Sequence, residues 1–328
     1  MIPKKLKSGD EIRVITPSRS FAIIPQEQRM ISLQMFEEMG LKVSFGRHVE
    51  ECDEFRSSTI ESRISDLHEA FLDTSVKAVL TVIGGFNSNQ LLKYIDYELI
   101  RKNPKILCGY SDITALQNAI LAKTDLVTYS GPHFSTFAMK QRFDFTLSHF
   151  KKCLFDDQPF DLQPSEYWSD DAWYVNQDNR NFIENPGYAV VQSGKAVGRI
   201  VGGNLCTFNL LQGTPYMPSL ENSILFIEDD VALGSMTDVE VDRNLQSLIH
   251  LPDFRGVQGI LIGRFQKGSE MTIEKIRKII STKRELKDIP VIYGLDFGHT
   301  DPYITFPIGG KVAINANGFH PLVKILEH

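Results

Sequence analysis

The chain has 328 residues, 42% hydrophobic and 23% charged, and its 35 basic against 41 acidic side chains leave a net charge of −6. This length sets a prior of about two domains and is ample for a real core, and the composition excludes a disordered, fibrous or collagen-like chain. A mildly acidic chain also lacks the basic field that a binder of nucleic-acid phosphates exchanges for counterions, so no nucleic-acid partner is expected.

Met1 to Asp10 is basic but leads into no apolar stretch of signal-peptide length before Glu11 and Arg13. No segment approaches the ~20 apolar residues that span a bilayer. A soluble cytoplasmic protein without a membrane partner is expected. Glu11 to Thr16 reads as a strand ending in Pro17-Ser18, and Pro25 to Met39 as a helix stopped by Gly40. Ile60, Ile64, Leu67 and Phe71 recur at helical spacing over Ile60 to Leu72. Ala78 to Ile83 is a β-branched run of the kind buried on both faces, closed by Gly84-Gly85. Gln90 to Ile100 reads as a helix, Lys105 to Cys108 as a strand, and Asp112 to Ala122 as a helix with Ile113, Leu116, Ile120 and Leu121 on one face. This βαβα order predicts a parallel sheet covered by helices.

From about Phe143 to Pro186 periodicity fades, and both tryptophans, Trp168 and Trp173, fall in this stretch, which reads as a connection or a long functional loop. Beyond it, Lys195 to Val201, Ile224 to Glu228, Val257 to Gly263 and Pro290 to Tyr293 read as strands, with one clear helix, Met271 to Ser281. The expected organisation is an α/β domain over residues 1–150, a connecting segment over 151–186, and a β-rich domain with a mixed or barrel-like sheet over 187–328.

Gly109-Tyr110-Ser111-Asp112 joins a buried strand to a helix, where α/β proteins present reactive groups. A serine in that turn points out of the sheet, and the first amides of the helix can stabilise an oxyanion. Ile113 stands where a Gly-x-Ser-x-Gly elbow has its last glycine. The competing reading is that Ser111 or Asp112 caps the helix. A serine hydroxyl needs a base. Of eight histidines, His299 lies in a Gly-rich loop on a strand's exit; it reads as that base or as a locally bonded turn residue. Glu228, first of three carboxylates ending an apolar strand, is the candidate to orient the base, with Asp229 and Asp230 expected to face solvent or cap the next turn; the competing reading of Glu228 is an acidic loop. Four scattered cysteines, Cys52, Cys108, Cys153 and Cys206, read as reduced thiols, Cys108 as a small apolar side chain. No nucleotide-cofactor or zinc-peptidase motif is present, so neither a cofactor nor a metal is implied.

Taken in order, Gly84-Gly85, Gly109-Tyr110-Ser111-Asp112-Ile113-Thr114-Ala115-Leu116, Gly131-Pro132-His133, Gly202-Gly203-Asn204-Leu205, Ile227-Glu228-Asp229-Asp230 and Gly298-His299-Thr300 closely resemble the LD-carboxypeptidase family of serine peptidases, and within it the microcin C self-immunity branch. The resemblance implies Ser111 as nucleophile, His299 as general base and acid, Glu228 as the group orienting the imidazole, and an oxyanion hole from the amides of Gly85 and Asp112. It implies a flavodoxin- or amidotransferase-like N-terminal domain, a swivelling β/β/α-like C-terminal domain, a cleft between them and a homodimer.

Enzymes of this family remove the terminal D-residue of murein tetrapeptide, or cut the amide joining an aminoacyl group to a nucleotide phosphate or its sulfamoyl analogue. A small-molecule or short-peptide substrate is therefore expected. Indole rings beside a cleft can stack on a base, so Trp168 and Trp173 point to the nucleotide substrate, unless they pack the loop onto its own domain. Gly84, Trp168, Trp173 and Asn204 are the candidate substrate-binding residues. The pattern departs after Glu228, where Asp229, Asp230, Val231 and Ala232 offer no cation for a phosphate before Arg243. The rivals are a murein carboxypeptidase, a non-catalytic ligand-binding protein on the same scaffold, and an amidotransferase-like domain, which would need cysteine at the elbow.

Overall fold

The computed structural model describes residues 1–328. Five short strands, β1 (Glu11–Ile15), β2 (Lys42–Phe45), β3 (Val76–Thr81), β4 (Ile106–Gly109) and β5 (Thr128–Ser130), lie parallel in the order β2-β1-β3-β4-β5. β3 and β4 bury almost every residue because helices cover both faces. The crossovers run through α1 (Gln26–Glu38), α2 (Ile60–Leu72), α3 (Tyr97–Lys102) and α4 (Thr114–Thr124). Strand order reverses between β1 and β3, so the loops leaving these strands part at the carboxyl edge, where this class of sheet binds ligands.

One expectation for this half changes, and two strands were not foreseen. The helix expected over 90–100 is a 3-10 turn, Ser88–Leu91, followed by α3, because the Asp96 carboxylate accepts from Leu99 N at 3.0 Å and starts a new helix there. Strands β2 and β5 are too short and too mixed in polarity to stand out; β2 is a half-exposed edge.

The stretch 143–186 is not irregular throughout. Its first third is α5 (Asp144–Phe155), which crosses residue 150 and buries Thr146, His149, Phe150, Cys153 and Leu154. Two polar residues on that inward face hide the helical period. Next come β6 (Phe160–Leu162), β7 (Tyr167–Trp168), β8 (Ile183–Glu184), β9 (Ala189–Gln192), β10 (Lys195–Asn204), β11 (Ser223–Glu228), β12 (Val257–Gly263), β13 (Val291–Leu295), β14 (Phe306–Ile308), β15 (Lys311–Asn315) and β16 (Leu322–Glu327). Eight of them form a second sheet in the order β6-β16-β15-β10-β11-β12-β13-β9.

This second sheet is mixed, as expected, but open rather than barrel-like. β10 to β13 are parallel, with antiparallel strands on both sides. Helices α6 (Leu205–Asn209), α7 (Thr237–Ile249) and α8 (Ile273–Ser281) make its crossovers. The sequence reading missed α7, whose inward stripe of Val241, Leu245 and Leu248 lies in an otherwise polar stretch. β14 leaves this half and adds antiparallel to β5 at the edge of the first sheet. No helix is long and apolar enough to cross a membrane.

The seam between the sheets is made by α4 and β10. Helix α4 buries not only apolar residues but also Thr114, Gln117 and Asn118, and buried polar groups require partners. Asn118 Nδ2 donates to Gly202 O at 2.8 Å and its Oδ1 accepts from Gly202 N at 3.2 Å, while Asn204 N donates to Thr114 Oγ1 at 3.0 Å. Gly203 lies between these bonds at φ +133°, and a Cβ there would stand 2.5 Å from Thr114 Oγ1. Only glycine allows the helix to come so close. Gly203→Ala is expected to destabilise the protein by roughly 2 kcal/mol or more, lowering Tm by ~5 °C. Thermal melting checks this, and an unchanged midpoint would show that the helix is not seated against that strand.

Candidate active site

β4 ends at Gly109, Tyr110 is extended, and Ser111 then turns to φ +60°, a left-handed conformation that strains a non-glycine residue by roughly 1–3 kcal/mol. The chain passes through a 3-10 turn, Ser111–Ile113, into α4. The cap reading fails, since neither the turn nor α4 has a side-chain cap. The Ser111 hydroxyl is instead 3.0 Å from His299 Nε2, and His299 Nδ1 is 2.8 Å from Glu228 Oε2. Residues from the exits of three strands in two sheets thus form one hydrogen-bonded chain.

Each member is held by its surroundings. Asp112 is buried, and its Oδ2 accepts from Ser18 Oγ at 2.6 Å, Ser88 N at 2.9 Å and Asn87 N at 3.1 Å, so it ties the loops after β1 and β3 to the turn carrying Ser111. Ser18 and Ser88 were invisible to the sequence reading because their role is only spatial. Glu228 is 4% exposed at the end of β11. Gly298, at φ +110°, makes room for it: a Cβ there would lie 3.0 Å from Glu228 Oε2. The His299 side chain is 18% exposed, enough to leave an edge open to solvent.

Gly84 lies against the serine, where a Cβ would stand 3.0 Å from Ser111 Cβ. The N–H of Gly85 donates to no other group of the protein, and that of Asp112 opens a helical turn, where amides lack intrahelical partners.

Burial opposes the charged form of His299, but Glu228 on Nδ1, with Asp230 and Asp229 behind it, outweighs burial and raises the imidazole to about 9. A second imidazole, His133, is nearby and very different. It is buried against Tyr110, ring centroids 4.4 Å apart, with Nδ1 2.7 Å from Thr81 Oγ1. Burial and then the charge of His299 lower it to about 3, so it stays neutral and no acid orients it. Of the two, only His299 has both a hydroxyl and a carboxylate as partners.

The candidate substrate-binding residues separate. Asn204 is buried; its Oδ1 accepts from Thr207 N at 3.0 Å, capping α6, and its Nδ2 donates to Asp229 Oδ1 at 3.2 Å. Asp229, expected to face solvent, is buried as well. Trp173 is partly buried against the core of the first sheet, edge-on to Tyr174 at 5.9 Å. Trp168 has Arg264 5.3 Å and Lys267 5.8 Å from its ring centroid. Its neighbour Ser169 exchanges two backbone hydrogen bonds with Asp301, at 2.8 and 2.9 Å, two residues beyond His299. Lys267 is a basic residue that comes near the turn after Glu228 from a distant part of the chain. It arrives from the loop after β12, which Gln266 Oε1 holds to Val231 N at 3.1 Å, and its Nζ pairs with Asp170 at 2.8 Å. No three His, Cys, Asp or Glu side chains gather as metal ligands.

Residues 12–131 match the LD-carboxypeptidase N-terminal domain and residues 197–314 the LD-carboxypeptidase C-terminal domain. YocD of Bacillus subtilis (strain 168), which carries a provisional carboxypeptidase name, is 55% identical over 317 residues, covering 96% of both chains. The microcin C7 self-immunity protein MccF of Escherichia coli is 32% identical, covering 96% of this chain and 93% of its own. A crystal structure of an MccF-like protein from Bacillus anthracis str. Ames is 53% identical and superposes with a TM-score of 0.99 over 100% of both chains. A structure of MccF in complex with glutamyl sulfamoyl guanosine, 30% identical, gives 0.87 over 99% of this chain and 98% of that one.

Because anions raise His299, its ring is expected to titrate by NMR well above the ordinary imidazole value, toward about 9. Glu228→Gln should move that titration down by a pH unit or more, roughly the effect of one adjacent carboxylate. An ordinary titration unchanged by the substitution would contradict the electrostatic account.

Proposed function

The chain belongs to the LD-carboxypeptidase family, and from that membership we propose a serine hydrolase that cuts the amide of aminoacyl-nucleotide compounds of the microcin C kind, giving self-immunity or detoxification. The observation that carries the reading is the hydrogen-bonded relay from Ser111 through His299 to Glu228. In this mechanism His299 Nε2 takes the Ser111 proton as Oγ attacks the carbonyl carbon. Glu228 holds the ring in the tautomer that leaves Nε2 free and stabilises the imidazolium that forms. The amides of Gly85 and Asp112 receive the oxyanion, a role supported by the unengaged N–H of Gly85. His299 then protonates the leaving nitrogen, and water repeats the steps on the acyl-enzyme.

The nucleotide part of the reading is supported by Trp168, a flat ring beside two cations on a loop bonded to the His299 turn, and by the sulfamoyl guanosine ligand of the related MccF. A second reading, hydrolysis of murein tetrapeptide, is favoured by the engagement of both cations beside Trp168, Arg264 with Asp296 and Lys267 with Asp170, which partly neutralises them.

Hydrolysis of an aminoacyl-sulfamoyl adenosine and of a murein tetrapeptide, assayed side by side, decides between them. Ser111→Ala should lower turnover of the true substrate by roughly 10⁴-fold or more with the fold intact. Wild-type rates on both substrates in that variant would refute the assignment. Trp168→Ala should raise KM for the nucleotide compound roughly tenfold, the loss of one stacked base, and leave the tetrapeptide rate unchanged. Equal effects on both substrates would remove stacking from the account.

A further inference from the structure

The mechanism uses only the first of the three carboxylates that end β11. The second, Asp229, is 6% exposed, and its Oδ2 has no hydrogen-bond partner. Its Oδ1 accepts from Asn204 Nδ2 at 3.2 Å and from Asp230 N at 3.1 Å. The Asn204 that holds it is itself fixed, through its own N to Thr114 Oγ1 and through its Oδ1 to Thr207 N. The carboxyl group is therefore held through Oδ1 on the turn that directly follows Glu228. The charged groups bearing on it are Glu228 and Asp230 from its own turn and His299 from the opposite loop. From the adjacent α6 it is faced by Cys206, which also senses Glu240 of α7. An unpaired buried carboxylate is costly and is kept only where the surrounding fold enforces it.

We propose that Asp229 is a positioning residue for charge: buried on the turn directly after Glu228 and held there by Asn204, its carboxylate sets how tightly His299 holds its proton, and so the pH at which Ser111 becomes a nucleophile. Burial, then Glu228 and Asp230, raise Asp229 to about 7, while the His299 charge pulls it down, so the two groups titrate as a linked pair. Asp229 ionises most readily while His299 is protonated, and its negative charge then favours the imidazolium over the free base. Removing that charge must let His299 lose its proton at lower pH.

This inference rests on His299 acting as the base for Ser111. The test follows the rate of inactivation by diisopropyl fluorophosphate against pH, which needs no knowledge of the natural substrate. In Asp229→Asn the rising limb is expected to move down by half a pH unit or more. The variant then reacts about threefold or more faster than wild type on the acid flank, with the alkaline plateau within threefold. A merely structural defect would slow the reaction at every pH without moving the limb. A limb that stays put or moves up overturns the proposal.

If the variant fails to fold, the assigned Asp229 carboxyl carbon of the ¹³C-labelled wild-type protein provides the readout. It should titrate near neutrality, and titration in the ordinary carboxylate range overturns the proposal. Should Ser111→Ala still react like wild type, the base assignment itself falls. Should Ser111→Ala be inert and the Asp229→Asn limb unmoved, only the role of Asp229 falls.

Discussion

Everything at the candidate site depends on how α4 is bonded to β10. Ser111 opens the 3-10 turn that runs into that helix, and Asn204, the last residue of β10, pairs in register with Glu228, the last residue of β11. The hydrogen bonds of Asn118 and Thr114 to the Gly202–Asn204 backbone therefore fix the nucleophile's helix relative to the acid's strand. A slip of one residue in a strand sends its side chains to the opposite face, and here it would carry Glu228 away from His299. The seam also shares its core: one apolar cluster of 57 buried residues includes members of both sheets, so the two halves are not free to drift apart.

The second constraint is electrostatic. Three carboxylates follow one another at the end of β11; Glu228 bonds the His299 imidazole, and the charges of all three raise it against burial. Such a base accepts the serine proton readily, but it also spends more of its time protonated at neutral pH, which withholds the free form that attack requires. The balance is set by how many of those carboxylates are charged. Asp229, which burial and then its carboxylate neighbours raise to about 7, is the adjustable member.

Local pattern disclosed the first half of the fold because buried parallel strands are continuous apolar runs and α2 carries a clean stripe. The Ser111, Glu228 and His299 positions were visible as strand exits, and the family resemblance joined them. What escaped was whatever depends on tertiary partners. Helix α7 hides four apolar residues in a polar stretch, α5 turns Thr146 and His149 inward, and Asp96 restarts a helix with a cap. Asp229 and Asn204 look like loop residues because nothing in a linear sequence shows that a neighbouring helix will bury them. Lys267 escapes for the same reason: it sits 39 positions after Glu228, and its loop comes near the acidic turn only through the bond of Gln266 to Val231.

The central claim is that Ser111 is a hydroxyl made nucleophilic by His299. The most direct measurement is mass spectrometry of the intact protein and its peptides after brief exposure to a fluorophosphonate at mildly alkaline pH. One phosphonyl group should appear on the peptide containing Ser111, and His299→Ala should abolish it while leaving the melting temperature unchanged. Labelling that persists without His299, or that falls on any other residue, would contradict the account.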